Sequence, residues 1–303
     1  MHSLSTRQWL VLVTLTVVWG LNWPVLKLGV TGYPPLTYRL LCLLIGTPVL
    51  GLALLAMKVP LRIERAHWPE LLRLSVFNMF IWHALMILAV QLLSSGRSAI
   101  LGYTMPIFSA VLGVLFFSNR MTVRAWAGVA ASSVGVAFLL WHEFSSLSGK
   151  PIGVLLALGA ASTWALGTQM LRRTTIPVPT LALSFWMTFL TVLVMAALSF
   201  IFEFDQWRAP TPTHWASILF NAFLVFGFAH PAWFYLARSL PPVASTLSVM
   251  MIPILGVFSG AYWLGEVLHW QDWAAVGLMV LSIASVLWPS ATQAQSEPTD
   301  TKV

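Results

Sequence analysis

Carboxylates are scarce in this chain: Asp and Glu number nine in 303 residues, and charged residues of both signs make up only 8%. All nine (Glu64, Glu70, Glu143, Glu203, Asp205, Glu266, Asp272, Glu297 and Asp300) fall in loops, at the ends of apolar runs or in the C-terminal tail. A buried carboxylate carrying protons at mid-membrane depth is therefore not expected. The single cysteine, Cys42, excludes an intramolecular disulfide and any cysteine metal cluster. No G-x-x-x-x-G-K-[ST] loop is present, which excludes P-loop ATP hydrolysis in this chain. Neither a D-D-x-x-D nor an H-E-x-x-H run supports a membrane prenyltransferase or protease. No enzymatic turnover, cofactor or metal is expected.

What the chain has in excess is apolar surface. Hydrophobic residues reach 58% and mean hydropathy is +0.84, against roughly 45–50% apolar in soluble domains. Apolar runs long enough to cross a hydrocarbon core of roughly 30 Å as helix lie near 8–28, 36–57, 70–92, 98–118, 122–141, 152–171, 180–202, 215–236, 244–264 and 270–288. The expected fold is an all-α integral membrane protein of ten transmembrane helices, five in each half. The break before residue 98 rests on Ser94-Ser95-Gly96-Arg97. The first run lacks a small-x-small cleavage site, and Trp19-Gly20-Leu21-Asn22-Trp23 is bulky and polar where a signal peptide would be apolar, so it reads as a retained span. Residues 290–303 lose all apolar periodicity and read as a short disordered tail.

The two halves resemble each other. His83 recurs as His230, Pro106 as Pro253 and Trp126 as Trp273, each 147 residues on, and Trp19 can be set on Trp164. Such a period is too long for a solenoid; in a membrane chain a two-fold internal repeat points to a transporter with its site between the halves. Residues 1–146 and 147–289 are the expected repeats, with 290–303 as the tail.

Orientation follows from Lys and Arg. With the N-terminus inside, Arg7, Lys58, Arg62, Arg65, Arg73, Arg120, Arg124, Arg172, Arg173, Arg238 and Lys302 are cytoplasmic, while Lys27, Arg39, Arg97, Lys150 and Arg208 fall outside. This eleven-to-five split of the sixteen puts both termini in the cytoplasm and the tail with them. It also accounts for the net charge of +7 without a nucleic-acid partner, since the basic residues are dispersed over short loops. With an odd number of spans per half, the second repeat is inverted.

The first span carries T-x-x-W-G-x-N-W (Thr16, Trp19, Gly20, Asn22, Trp23), the fourth contains MPIFSAVLGVLFF, and the ninth repeats that run as IPILGVFSGAYWLGE, ending at Glu266. These features, over about residues 8–288, resemble the drug/metabolite transporter superfamily, specifically its EamA-type exporters. Within that group the chain is most similar to bacterial aromatic amino acid exporters of the YddG type. The resemblance implies an inner-membrane transporter of small organic metabolites. It identifies Glu266 with the family's acidic position; Asn119 stands in the equivalent place of the first half, a departure from the pattern.

Small residues recur at helix-packing spacing: Ser109 and Gly113, Gly256 and Gly260 at the same offset, and Gly153, Ala157, Ala161 and Ala165 along one face. They allow close helix approach in lipid. Pro24, Pro106, Pro231 and Pro253 lie within spans and mark kinks or local unwinding.

A substrate site must be built from polar and aromatic side chains at mid-span. Trp19, Asn22, Tyr38, Met79, Trp82, His83, Tyr103, Trp164, Trp186, His230 and Tyr235 form the expected binding set, with Asn78, Gln169 and Asn221 as further polar candidates. The two histidines leave two readings open: a contact to substrate or proton, or a neutral imidazole bonding a nearby backbone carbonyl. If transport is proton-coupled, histidine is the remaining titratable group, with an unperturbed pKa of about 6.5.

Of the sixteen tryptophans, many sit near span ends, where aromatic belts form. Trp19, Trp23, Trp82, Trp164, Trp186 and Trp233 lie deeper, and with Met79, Met86 and Met105 would line a cavity suited to flat apolar, zwitterionic or cationic solutes. The expected activity is export of aromatic amino acids or similar small metabolites by alternating access; the alternative is a multidrug or quaternary-ammonium exporter. The expected partners are the lipid bilayer and an amino acid-like small molecule; the sequence does not set the oligomeric state, and a monomer is compatible with it.

Overall fold

Inside lipid every backbone N–H and C=O must be satisfied within the chain, which leaves helix as the economical solution for apolar runs of this length. The computed structural model describes residues 6–117, 122–145, 150–230, 232–233 and 242–287, and these contain helix and connecting turns but no strand. The helices are α1 (Thr6–Val30), α2 (Pro35–Ala56), α3 (Trp68–Leu74), α4 (Ile81–Leu92), α5 (Ser95–Gly102), α6 (Met105–Phe117), α7 (Val123–Ser145), α8 (Pro151–Leu171), α9 (Thr180–Glu203), α10 (Pro212–Leu219), α11 (Pro242–Leu264) and α12 (Trp270–Leu287).

Two π-helical segments interrupt this pattern. Ser75–Phe80 joins α3 to α4, and Phe220–Ala229 continues α10. Seven stretches are long and apolar enough to cross a membrane: Gln8–Val30, Pro35–Ala56, Arg65–Leu92, Ser95–Phe117, Pro151–Leu171, Thr180–Gln206 and Pro212–Ala229. Val123–Leu139 and Met251–Leu264 are shorter apolar helices. The chain is thus a multi-pass helical membrane protein.

Local sequence explains the helix ends. Proline opens α2, α8 and α10, where its missing N–H costs nothing. Ser94 caps α5 by accepting from the Arg97 N–H, as the Ser94-Ser95-Gly96-Arg97 break implied. Thr211 and His214 form a reciprocal capping box on α10. Gly32 and Gly265, with φ of 69° and 65°, take the left-handed turns after α1 and α11.

Packing uses the small residues. A Cβ on Gly167 would lie 2.6 Å from the Asn78 backbone, and one on Gly256 would lie 2.7 Å from the Ala99 side chain. Helices therefore approach through glycine, as lipid-embedded bundles require. Large apolar side chains such as Leu52, Leu115, Phe116 and Trp141 point outward instead.

One end of the bundle is tied by polar bonds that link residues far apart in sequence. Glu203, at the end of α9, accepts from the Leu36 N–H at 2.9 Å, the Thr37 N–H at 2.7 Å and the Thr37 hydroxyl at 2.7 Å. Glu266 accepts from the Ser95 N–H at 2.6 Å, the Ser95 hydroxyl at 2.9 Å and the Gly96 N–H at 3.2 Å. Asp272 holds Arg97 in a two-bond pair at 2.7 and 3.1 Å. Glu203 and Asp272 are buried and Glu266 is half-buried, and all three lie at helix ends and loops, where each complements free N–H groups or a cation.

Candidate functional site

Thirteen residues surround a cavity of about 90 Å³ in the interior of the bundle. At roughly 10–15 Å³ each, that is space for several water molecules. The first helix supplies Trp19, Asn22, Trp23 and Leu26, a run that repeats at one face of α1. From α2 comes Arg39; from α4, Trp82, His83 and Met86; from α8, Trp164. Tyr103 and Met105 enter at the break between α5 and α6, and Val225 and His230 from the second π segment and its end.

Irregular backbone shapes this site. Pro24 lies inside α1 beside Trp23, and the α5–α6 span is broken at Tyr103 and Thr104, with Met105 and Pro106 opening the next helix. Non-helical backbone at this depth is tolerated where it is buried in protein or lines a cavity. Tyr103 ends α5 with its N–H still bonded to the Ala99 carbonyl at 3.1 Å, which aims its ring at Trp23, 6.3 Å away edge-on.

The walls are aromatic pairs. Trp82 and Trp164 meet at 5.2 Å between ring centroids. Trp19 stands edge-on to His230 at 6.0 Å and packs on Trp233 at 5.6 Å. Phe226 lies behind both histidines, stacked on His230 at 5.2 Å and edge-on to His83 at 5.5 Å.

The polar groups divide into bonded and orphaned. His230 places Nδ1 at 2.9 Å from the Val225 carbonyl, a bond offered by the π segment. His83 is buried, yet neither ring nitrogen has a partner. The Asn22 side-chain oxygen and the Arg39 Nε are likewise buried and unpartnered. Such groups cost free energy while unmet, and here three of them border one space.

Of the expected binding set, Trp19, Asn22, Trp82, His83, Tyr103, Trp164 and His230 come together around the cavity, and so do Trp23, Met86 and Met105. Three do not. Tyr38 is fully buried to one side, its hydroxyl 2.6 Å from that of Ser217 and accepting from Asn221 at 3.1 Å. Met79 packs in a separate apolar cluster with Leu71, Leu183 and Met187. Trp186 donates to the Leu61 carbonyl at 2.6 Å and packs on Trp68, away from the cavity. Tyr235 lies outside the described residues. Asn78, Gln169 and Asn221 tie helices together, Asn221 through the Tyr38 hydroxyl and Gln169 by donating to the Ser109 carbonyl at 3.0 Å and hydroxyl at 2.8 Å.

Arg39 is the residue sequence reasoning placed elsewhere, in an outer flank. It is 4% exposed and lies within α2. The signal was available: between Pro34 and Lys58 it is the one charged residue. Its nearness to a span end disguised it as a flanking charge. Leu26 and Val225 carried no signal that separates them from other apolar residues.

Residues 7–141 and 151–288 each match the EamA-like transporter family. The chain belongs to that family. As an EamA-like protein it shares 29% identity with the uncharacterized transporter YvbV of Bacillus subtilis, over 95% of this chain and 94% of that one. The uncharacterized inner membrane transporter YedA of Escherichia coli is also 29% identical, over 91% and 89%. A probable amino-acid metabolite efflux pump of Salmonella typhimurium is 25% identical over 92% and 94%. A solved crystal structure, 20% identical, shares the fold with a TM-score of 0.66 across 93% of this chain and 96% of its own. The family is one of transporters, so the cavity is the place to seek a transported solute.

Proposed function

We propose that this EamA-like protein exports aromatic amino acids or closely related metabolites across the bacterial inner membrane by alternating access around the central cavity. The observation that carries the reading is the composition of that cavity: paired indoles on its walls and unpartnered His83, Asn22 and Arg39 groups within it. Indole faces suit a flat ring, and orphaned polar groups suit the polar end of the same solute. Relatives described as an inner membrane transporter and an amino-acid metabolite efflux pump are consistent with this location and direction.

In this reading ten spans form two inverted five-helix repeats, residues 1–146 and 147–289, followed by a cytoplasmic tail, 290–303. The end tied by Glu203, Glu266 and Asp272 faces outside and is closed, since each of these acids grips the other half there. Rocking one half on the other would release those bonds and open the cavity to the exterior. The test is phenylalanine flux with the purified protein in liposomes. Saturable phenylalanine transport is expected; liposomes that pass lipophilic cations but not phenylalanine would instead favour a quaternary-ammonium exporter.

A further inference from the structure

Arginine is protonated at every working pH and presents five N–H donors. Burying it away from water without a counter-ion is strongly unfavourable. Arg39 is 96% buried, the complement of its 4% exposure, and borders the cavity. Among the described residues no carboxylate pairs with it. Glu203, the acid beside its helix, is already occupied by the Leu36 and Thr37 donors at the start of α2. That helix start is itself a poor place for a cation, since the helix dipole is positive there. The remaining compensation is the Phe226 ring, whose centroid is 6.0 Å from the guanidinium carbon, at the limit of a cation–π contact. Its Nε meets no acceptor.

We propose that Arg39 is the anion anchor of this cavity, binding the carboxylate of the solute and selecting carboxylate-bearing substrates over aromatic cations. A carboxylate brings the missing counter-charge and accepts from Nε and a terminal N–H together, the paired geometry arginine favours. The orphaned Asn22 oxygen is then free to accept from an ammonium group on the same solute, and the ring falls among the indoles. A lipophilic cation satisfies neither the guanidinium nor the charge balance. The inference rests on the reading that this cavity is the transport site, and it narrows the two substrate classes left open above to the zwitterionic one.

The test uses three solutes sharing a benzyl group: phenylalanine, 3-phenylpropionate, which lacks the ammonium, and phenethylamine, which lacks the carboxylate. Each competes with radiolabelled phenylalanine for purified full-length protein, wild type and Arg39→Gln. Wild type is expected to bind phenylalanine and 3-phenylpropionate at least about tenfold more tightly than phenethylamine, the scale of a charge-assisted bond. Arg39→Gln should weaken the two carboxylates roughly ten- to a hundredfold and leave phenethylamine, followed by its own label, unchanged or tighter. Phenylalanine bound equally by wild type and Arg39→Gln would overturn the anchor while leaving the transport reading standing. Wild type binding none of the three would overturn both. Should Arg39→Gln fail to fold, the wild-type ranking decides alone: phenethylamine ahead of 3-phenylpropionate rejects the anchor.

Discussion

His83 and His230 recur at the same offset yet meet different surroundings. His230 has its Nδ1 against the Val225 carbonyl and its ring stacked on Phe226, the bonding expected of a helix-packing imidazole. His83 has both nitrogens buried and unmet, which makes it the better candidate for a solute contact. His83→Gln, which keeps a donor and an acceptor on a flexible chain, should therefore slow phenylalanine flux into proteoliposomes more than His230→Gln does. Wild-type flux in both variants would assign both rings to packing, and equal slowing would remove the distinction drawn between them. Trp164 borders the cavity beside Trp82. Trp164→Ala should reduce flux about three- to tenfold, the scale of one aromatic contact, with expression unchanged; wild-type flux would make it a packing residue.

At the scale of elements, the π segments and the broken span do the positioning. A π turn shifts the register of the residues that follow it, and each of the two here leads into a histidine of the cavity, His83 after Ser75–Phe80 and His230 after Phe220–Ala229. Periodicity cannot reveal them, because one extra residue in a turn leaves an apolar run looking apolar. The glycine contacts are likewise decided between helices. Gly167→Ala would push a methyl against the Asn78 backbone, where no side chain can swing away. A loss of about 1–3 kcal/mol is expected, visible as a lower unfolding temperature in detergent. An unshifted unfolding temperature would mean that α8 moves aside without cost.

For the whole molecule, the decisive contacts join chain segments more than 160 residues apart: Glu203 to Leu36 and Thr37, Glu266 to Ser95, Asp272 to Arg97. If these hold one end closed, Asp272→Asn should raise the rate at which a maleimide reaches a cysteine placed at Leu26, in a Cys42→Ser background, several-fold. A rate equal to that of the parent would show that the Arg97 pair is not part of a gate. The charge split predicts that a reporter fused after Lys302 lies in the cytoplasm. A periplasmic signal there would refute the ten-span topology.

Much was legible in the sequence because it depends on local composition. Apolar runs without charge require helix in lipid whatever their neighbours are, so the helical membrane fold followed from composition alone. The indoles and histidines at mid-span marked most of the cavity wall, since polar or aromatic groups at that depth need a reason. What composition could not decide is which of them face one another. Tyr38, Met79 and Trp186 have the same chemistry as the cavity residues but turn to Ser217, to Met187 and to the Leu61 carbonyl. Arg39 looked like a flanking charge until the folded chain enclosed it without a counter-ion. The environment of a side chain is set by contacts between distant segments, and those exist only in the tertiary structure.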